Sequence, residues 1–266
     1  MSRIAQTFEK LMRRDEKALI TFLTAGDPDL GASEQLIHAL VEAGVDLLEL
    51  GFPFSDPMAD GPTIQAASER ALASGTTLRG VLDLVAKVRR RTNVPIILMG
   101  YFNPVFCYGV EAFARDAAVA GVDGLLLVDL PPEEADELNP HLQAAGIDLI
   151  TLLAPTTPEA RMIDLAEKAE GFLYYVSMTG VTGTQKVDAA AIAESVSKVR
   201  RRTLVPVAVG FGVATPADAC AVAAFADAVV VGSALVQVIA THGKSPRLVE
   251  EVQAFTRALK RAIAPA

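Results

Sequence analysis

Short, almost continuous runs of Val, Ile and Leu recur along the chain, each followed by a longer Ala-rich stretch with helical spacing. The runs are 18–23 (ALITFL), 46–51 (DLLELG), 95–100 (PIILMG), 123–128 (DGLLLV), 147–153 (IDLITLL), 172–177 (FLYYVS), 205–210 (VPVAVG) and 227–232 (DAVVVG). Continuous apolar runs, as opposed to alternating ones, predict parallel strands buried on both faces. Segments such as EQLIHALVEAG and TIQAASERALASG supply the right-handed βα connections that parallel strands need. Eight such units in 266 residues predict an α/β fold, a (β/α)8 TIM barrel spanning 1–266 as a single domain, with an extra N-terminal helix near residues 4–14.

Internal echoes support this reading. KVRRRTNVPIILMG (87–100) matches KVRRRTLVPVAVG (198–210), and AG-[VI]-D precedes strands at Ala43–Asp46, Ala120–Asp123 and Ala145–Asp148. In each of the latter, Gly is expected to end a helix in the left-handed conformation. The triple-arginine runs fall at predicted helix C-termini, where cations offset the macrodipole.

Composition narrows the function. The net charge of −8 argues against a nucleic-acid or anionic-membrane footprint. Three scattered His and two isolated Cys form no metal-ligand spacing and no disulfide framework, so no metal is expected. The start, MSRIAQTFEKLMRRDEK, has no apolar leader core, and the nearly apolar stretch 228–240 is too short to span a bilayer. The expected location is the cytoplasm.

A barrel of this kind carries its chemistry at the C-terminal ends of the strands. There, Glu49 in the second run points either into the barrel or into the helix layer. It reads as a general acid or base, or as a buried Glu satisfied by partners. The loop 51–65 adds Asp56 and Asp60, and spacing alone leaves Asp60 open between a turn residue and a functional carboxylate. Gly210–Gly212 after the seventh run and Gly232–Ser233 after the eighth, each leading into a helix, mark a phosphate site. The Gly/Ser/Thr-rich segment 177–190 reads as a lid. No lysine is placed for a Schiff base and no histidine cluster for a metal. What remains is a phosphate-anchored substrate worked on by carboxylates. That pattern suits a lyase or a phosphosugar isomerase, and a binding subunit that acts only through a partner also stays open.

The stretches ELGFPFSDPMADGPTIQAA (49–67), FLTAGDPD (22–29), MGYFNP (99–104), VDLPPEE (128–134), SMTGVTGT (177–184), VGFG (209–212) and VGSALV (231–236) together resemble the tryptophan synthase alpha chain family over nearly the whole chain. The resemblance implies a lyase of tryptophan biosynthesis that splits indole-3-glycerol phosphate into indole and glyceraldehyde 3-phosphate. It implies no cofactor in this chain, and an α2β2 complex whose beta chain carries pyridoxal phosphate and joins the indole to serine. Carried over by residue, Glu49 is the proton-transferring carboxylate, Asp60 the acceptor of the indole N–H, and Tyr174 the tyrosine near the glutamate. Phe22 lines the indole pocket, Gly183, Gly212, Gly232 and Ser233 hold the phosphate, and Thr182 orders the lid. Pro53, Asp56, Tyr101, Asn103 and Pro104 are expected at or near the beta-chain interface. Met178 and Phe172 depart from the family pattern, the first standing for a basic residue and the second for a tyrosine.

Overall fold

The computed structural model describes residues 1–176, 189–210 and 212–265. An N-terminal helix α1 (Arg3–Met12) precedes strand β1 (Ala18–Thr24), and strands β2 (Leu47–Gly51), β3 (Ile96–Gly100) and β4 (Gly124–Leu127) follow in turn. Then come β5 (Asp148–Leu149), β6 (Thr151–Leu153), β7 (Leu173–Val176), β8 (Val207–Gly210) and β9 (Ala228–Val231). All neighbouring strands pair in parallel, in the order β5-β4-β3-β2-β1-β9-β8-β7-β6. The two ends of that order are separated in sequence only by Ile150, so the sheet curls into a nearly closed barrel.

The fifth predicted strand is therefore split between two neighbours. Its first half pairs with β4 and its second with β7. The break falls at Ile150, whose N–H still donates to the Leu125 carbonyl at 2.8 Å. The other predicted runs are each one strand: the first extends one residue further, to Thr24, and the rest are trimmed by a residue or two where the ladder ends.

Around the barrel lie α2 (Leu30–Glu42), α3 (Pro62–Ala73), α4 (Leu78–Val88), α5 (Phe102–Tyr108), α6 (Val110–Ala120) and α7 (Asn139–Ala145). The circuit is completed by α8 (Glu159–Lys168), α9 (Ala189–Arg200), α10 (Pro216–Ala223), α11 (Ser233–His242) and α12 (Leu248–Ala262). Outward strand residues such as Leu48, Leu50, Leu98 and Leu125 join the helix faces in one apolar cluster. Inward residues form another, built from Ile20, Leu47, Ile97, Leu126, Phe172 and Val230. Because side chains alternate along a strand, Leu47 inside and Leu48 outside fix Glu49 as pointing into the barrel.

The predicted N-terminal helix has a specific task. Ser2 caps it by accepting the Ala5 N–H at 3.3 Å, and its apolar stripe Ile4, Phe8 and Leu11 packs into the inner cluster. Phe8 meets Phe172 with ring centroids 6.0 Å apart. Helix α1 thus closes the N-terminal end of the barrel, and Phe172 is a buried core residue at that end, away from the strand C-termini.

The sequence echoes reappear as a repeated clasp at the same end. Asp46, Asp123 and Asp227 each accept an N–H from the start of an adjacent strand, from Leu19 (2.8 Å), Ile96 (2.8 Å) and Val207 (3.0 Å) respectively. Each carboxylate also takes a basic side chain: Lys260 at 2.6 Å, Arg89 at 2.8 Å and Arg200 at 2.8 Å. The first arginine of each triple run is thus a strand clasp as well as a helix terminator. Gly44, Gly121 and Gly146 adopt positive φ, as the AG-[VI]-D pattern requires. Among the described residues, no helix is long and apolar enough to cross a membrane.

If α1 is the barrel's floor, Phe8→Ala should lower the unfolding free energy by about 3 kcal/mol in a urea titration. A loss under about 1 kcal/mol would show that the floor carries no packing load.

Candidate active site

At the other end of the barrel the inward positions change from aliphatic to polar and glycine. Glu49 lies between Phe22 of β1 and Ile97 of β3 in the ladder. It is wholly buried, and neither carboxyl oxygen has a hydrogen-bond partner among the described residues. With no donor to stabilise the anion, burial alone pushes its pKa up to about 8. Tyr174, inward on β7, also titrates well above its ordinary value, through burial and then the nearby Glu49 charge.

Glycines at three strand ends make room for the rings of the site. A Cβ on Gly51 would stand 2.6 Å from the Phe22 ring, one on Gly100 2.3 Å from Phe52, and one on Gly210 2.3 Å from the Tyr174 hydroxyl. All three lie below any real Cβ contact, so the aromatic lining is bought with missing side chains. Phe22, Phe54, Ile64, Met99 and Tyr101 then enclose a slot that Asp60 borders. Its free volume is about 20 Å³, room for about one water.

Asp60 sits at the end of the loop between β2 and α3, where Pro62 occupies the first turn of the helix. The Tyr101 hydroxyl lies in the same part of the slot. Burial raises the Asp60 pKa to about 6, and the nearby Tyr101 hydroxyl partly opposes the rise. The Ala59 N–H donates to the same hydroxyl at 3.0 Å, and the Gln65 amide donates to the carbonyls of Asp60 (2.8 Å) and Pro57 (3.4 Å). Tyr101 is only 3% exposed, so it turns inward to the slot, unlike its neighbours Asn103, which is exposed, and Pro104, which is half-buried. The link from Tyr101 to the loop that carries Asp60 and the Gln65 brace were missed in the sequence. A tyrosine immediately after a strand-ending Gly was the available signal.

The two helix N-termini beyond β8 and β9 differ. At α10, Thr215 and Asp218 form a reciprocal capping box, which satisfies the first donors and places a carboxylate among them. At α11, Gly232 has no side chain with which to cap. Among the described residues, no side chain caps the N–H groups at the start of this ten-residue helix. Gly212 holds φ +43°, a left-handed conformation that glycine adopts freely.

Of the other expected site residues, Asp56 is exposed and accepts the Ser55 hydroxyl at 2.5 Å, whereas Pro53 is buried beneath the loop. Thr182, Gly183 and Met178 lie outside the described residues. Among the described residues, no group of three or more His, Cys, Asp or Glu is gathered as metal ligands.

A sequence model described as "Tryptophan synthase alpha chain" matches residues 8–264. The chain belongs to the tryptophan synthase alpha chain family. The alpha chain of Geobacter sulfurreducens is 56% identical over 263 residues, covering 99% of each chain, and that of Citrifermentans bemidjiense is 55% identical over 263 residues, covering 99% of this chain and 98% of the relative. Among solved structures, the Legionella pneumophila (strain Paris) tryptophan synthase alpha subunit superposes with a TM-score of 0.92 at 42% identity, over 99% of this chain and 98% of that one. A chain of Mycobacterium tuberculosis tryptophan synthase gives 0.91 at 38% identity, over 100% and 99%. Tryptophan synthase alpha chains are lyases that cleave indole-3-glycerol phosphate and pass the indole to a beta chain. They carry no cofactor, and the pyridoxal phosphate belongs to the beta chain.

The lone Glu49 has a thermodynamic signature. Its ordinary pKa is 4.5 and its folded value about 8. Between these values the unfolded chain has given up a proton that the folded chain keeps, so raising the pH favours unfolding. The penalty is absent below pH 4.5 and complete above pH 8. Glu49→Leu should therefore be more stable than the parent by about 2–4 kcal/mol at pH 8, with that advantage shrinking toward pH 4. Unfolding titrations at the two pH values check this, and a pH-independent difference would contradict the assignment.

Proposed function

We infer that this chain performs the family's cleavage with Glu49 as the proton-transfer group and Asp60 as the partner of the indole nitrogen. The observation that carries the reading is the unequal setting of the two carboxyls at the barrel mouth, Glu49 wholly buried without a partner among the described residues and Asp60 at the border of the slot. At neutral pH, a group with a pKa of about 8 is mostly a neutral acid, and one of about 6 mostly an anion. Two carboxyls with separated pKa values can play opposite parts at one pH.

In this reading the neutral Glu49 gives its proton to indole C3. The ring becomes an indoleninium, positively charged at nitrogen, and the Asp60 carboxylate, accepting the N–H, offsets that charge. Glu49, now a carboxylate, takes the proton from the hydroxyl on the side-chain carbon attached to C3. The electrons of the broken O–H bond form the aldehyde carbonyl, the bond to C3 breaks, and its electron pair returns to the ring. Indole and glyceraldehyde 3-phosphate leave, and Glu49 is again protonated. The ring is the electron sink. Tyr174 borders Glu49 and constrains where C3 can lie.

The start of α11, with Gly232 and Ser233, faces the phosphate together with the Gly212 backbone, and the family resemblance assigns Gly183 and Thr182, outside the described residues, to the same ligand. The saturated N-terminus of α10, with Asp218 in its first turn, supports assigning the anion to α11. Phe22 lies along the indole ring. The slot, at about 20 Å³, must widen to admit it, through movement of side chains such as Phe22, Phe54 and Ile64.

The beta chain docks, in this reading, on the loops after β2 and β3 to make an α2β2 heterotetramer in the cytoplasm. Asp56 lies on the first of these connections and Asn103 and Pro104 in α5 on the second, which also carry the large exposed apolar side chains Met58 (86% exposed) and Phe106 (59%). Pro53 supports that face from beneath.

Glu49→Gln and Asp60→Asn should each lower kcat for indole release about 10³-fold while leaving the folded state intact by circular dichroism. Indole release from indole-3-glycerol phosphate by either variant at near-parental rates would overturn the roles. Isomerisation of a phosphosugar without indole formation would favour the other phosphate-anchored reading.

A further inference from the structure

We propose that Thr24 and Ser68 form a specificity-determining pair: they read the nitrogen-side edge of the indole's six-membered ring, and favour a ring that carries a hydroxyl there over one that carries an apolar group of the same size. The inference rests on the positions assigned above to Glu49 and Asp60.

Thr24 is the last residue of β1 and only 2% exposed, and its hydroxyl makes no hydrogen bond among the described residues. It borders the slot together with Asp60 and Ser68, in a lining whose large members Phe22, Phe54, Ile64 and Met99 offer it no acceptor of their own. A dry hydroxyl without a partner has lost its hydrogen bonds to water, and Val would fill the same strand position without that loss. In the free chain the hydroxyl is a cost, and a bound group that hydrogen-bonds removes it.

The direction of the hydroxyl follows from the ladder. Ile20 belongs to the inner cluster, and Phe22 and Thr24 share its face of β1. Phe22 stands opposite Glu49, and Thr24 opposite Gly51, which raises no side chain beside it. Thr24 thus lies one inward position beyond the level of Glu49, about 7 Å along the strands toward the mouth. Ser68, also buried, reaches the slot from the helix layer. Asp60 precedes α3, and Ile64 and Ser68 follow it at four-residue intervals, so the two share the helix face that continues from Asp60 along the slot.

With C3 at Glu49 and the ring N–H at Asp60, the atoms left to meet the two hydroxyls are those of the six-membered ring on the nitrogen side, carbons 6 and 7. A hydroxyl on that edge can donate to one of the pair and accept from the other. A methyl group has similar bulk and can do neither, so both side chains stay unpaired. Thr21 provides an internal comparison. Its hydroxyl is also buried without a partner, but alternation places it with Leu19 and Leu23 on the outer face, away from the slot.

The test runs the cleavage in reverse, condensing an indole with glyceraldehyde 3-phosphate. This chain and its beta chain are both present, and serine is withheld so that no indole is consumed elsewhere. The probes are 6-hydroxyindole and 6-methylindole. The readout is the ratio of their kcat/KM values, relative to the parent, which cancels the intrinsic reactivity of each ring and any general loss of activity. Thr24→Val should lower the ratio about 10-fold and Ser68→Ala about 3-fold, whereas Thr24→Ser should keep it within about 2-fold. Thr21→Val should leave it at the parental value. A ratio unchanged in Thr24→Val, or lowered equally in Thr21→Val, overturns the proposal. If circular dichroism shows Thr24→Val unfolded, a ratio unchanged in Ser68→Ala overturns it instead. Asp60→Asn separates the two levels with unsubstituted indole. If it condenses indole at the parental rate, the reading of Asp60 itself fails, and if it is inactive while the Thr24→Val ratio is unchanged, only the inference fails.

Discussion

Holding a carboxyl group in a dry barrel without a donor is costly, and much of this structure is arranged around that cost. Glu49 could lower it by finding a cation or backbone N–H groups, as Asp46 and Asp123 do at the opposite end of the same sheet. It finds neither among the described residues, and the group answers by keeping its proton. The contrast is between the two ends of one barrel. At the N-terminal end, aspartates are saturated by strand N–H groups and basic side chains, and α1 seals the floor with Ile4, Phe8 and Leu11. At the C-terminal end, among the described residues, Glu49 has no hydrogen-bond partner and no side chain caps the start of α11. Stability is concentrated at one end and chemistry at the other, as the fold allows.

The mouth is shaped as much by absent side chains as by present ones. Gly51, Gly100 and Gly210 each lie where a methyl group would collide with a ring or its hydroxyl. Removing Cβ at the strand ends lets Phe22, Phe52 and Tyr174 lean over their neighbours. The site therefore closes down to a slot with room for about one water, the setting in which a carboxyl holds its proton and a nearby anion is felt strongly. Asp60 sits at the slot's border, with one foot in solvent and a phenol for company, and its lower pKa follows from that position.

Much of this was legible in the sequence because it is periodic or local. The eight apolar runs, the glycines that end helices before Asp46, Asp123 and Asp148, and the glycine-led loops after the last two strands are all short-range signals. The split of the fifth run at Ile150 was not, since it depends on how a tilted barrel closes. Which way Glu49 faces was settled only when Leu47 and Leu48 were seen on opposite sides of the sheet. The resemblance supplied roles for Glu49 and Asp60 that spacing left open. It did not distinguish Tyr101, which turns into the slot, from Asn103 beside it, which faces out, because a two-residue difference in direction is set by how α5 begins. Nor did Gly- and Thr-rich composition reveal that the start of α10 is already capped while, among the described residues, no side chain caps that of α11. Phe172, set apart in the sequence as a departure, proved to be part of the floor.

The central claim is that the barrel mouth keeps Glu49 protonated at neutral pH while leaving Asp60 ionised. Carboxyl-carbon NMR of the glutamate-labelled chain, with Glu49 assigned by its absence in Glu49→Gln, measures this directly. The account predicts a midpoint near 8. A midpoint at the ordinary value of 4.5 would contradict it, since Glu49 would then reach the substrate as an anion with no proton to give.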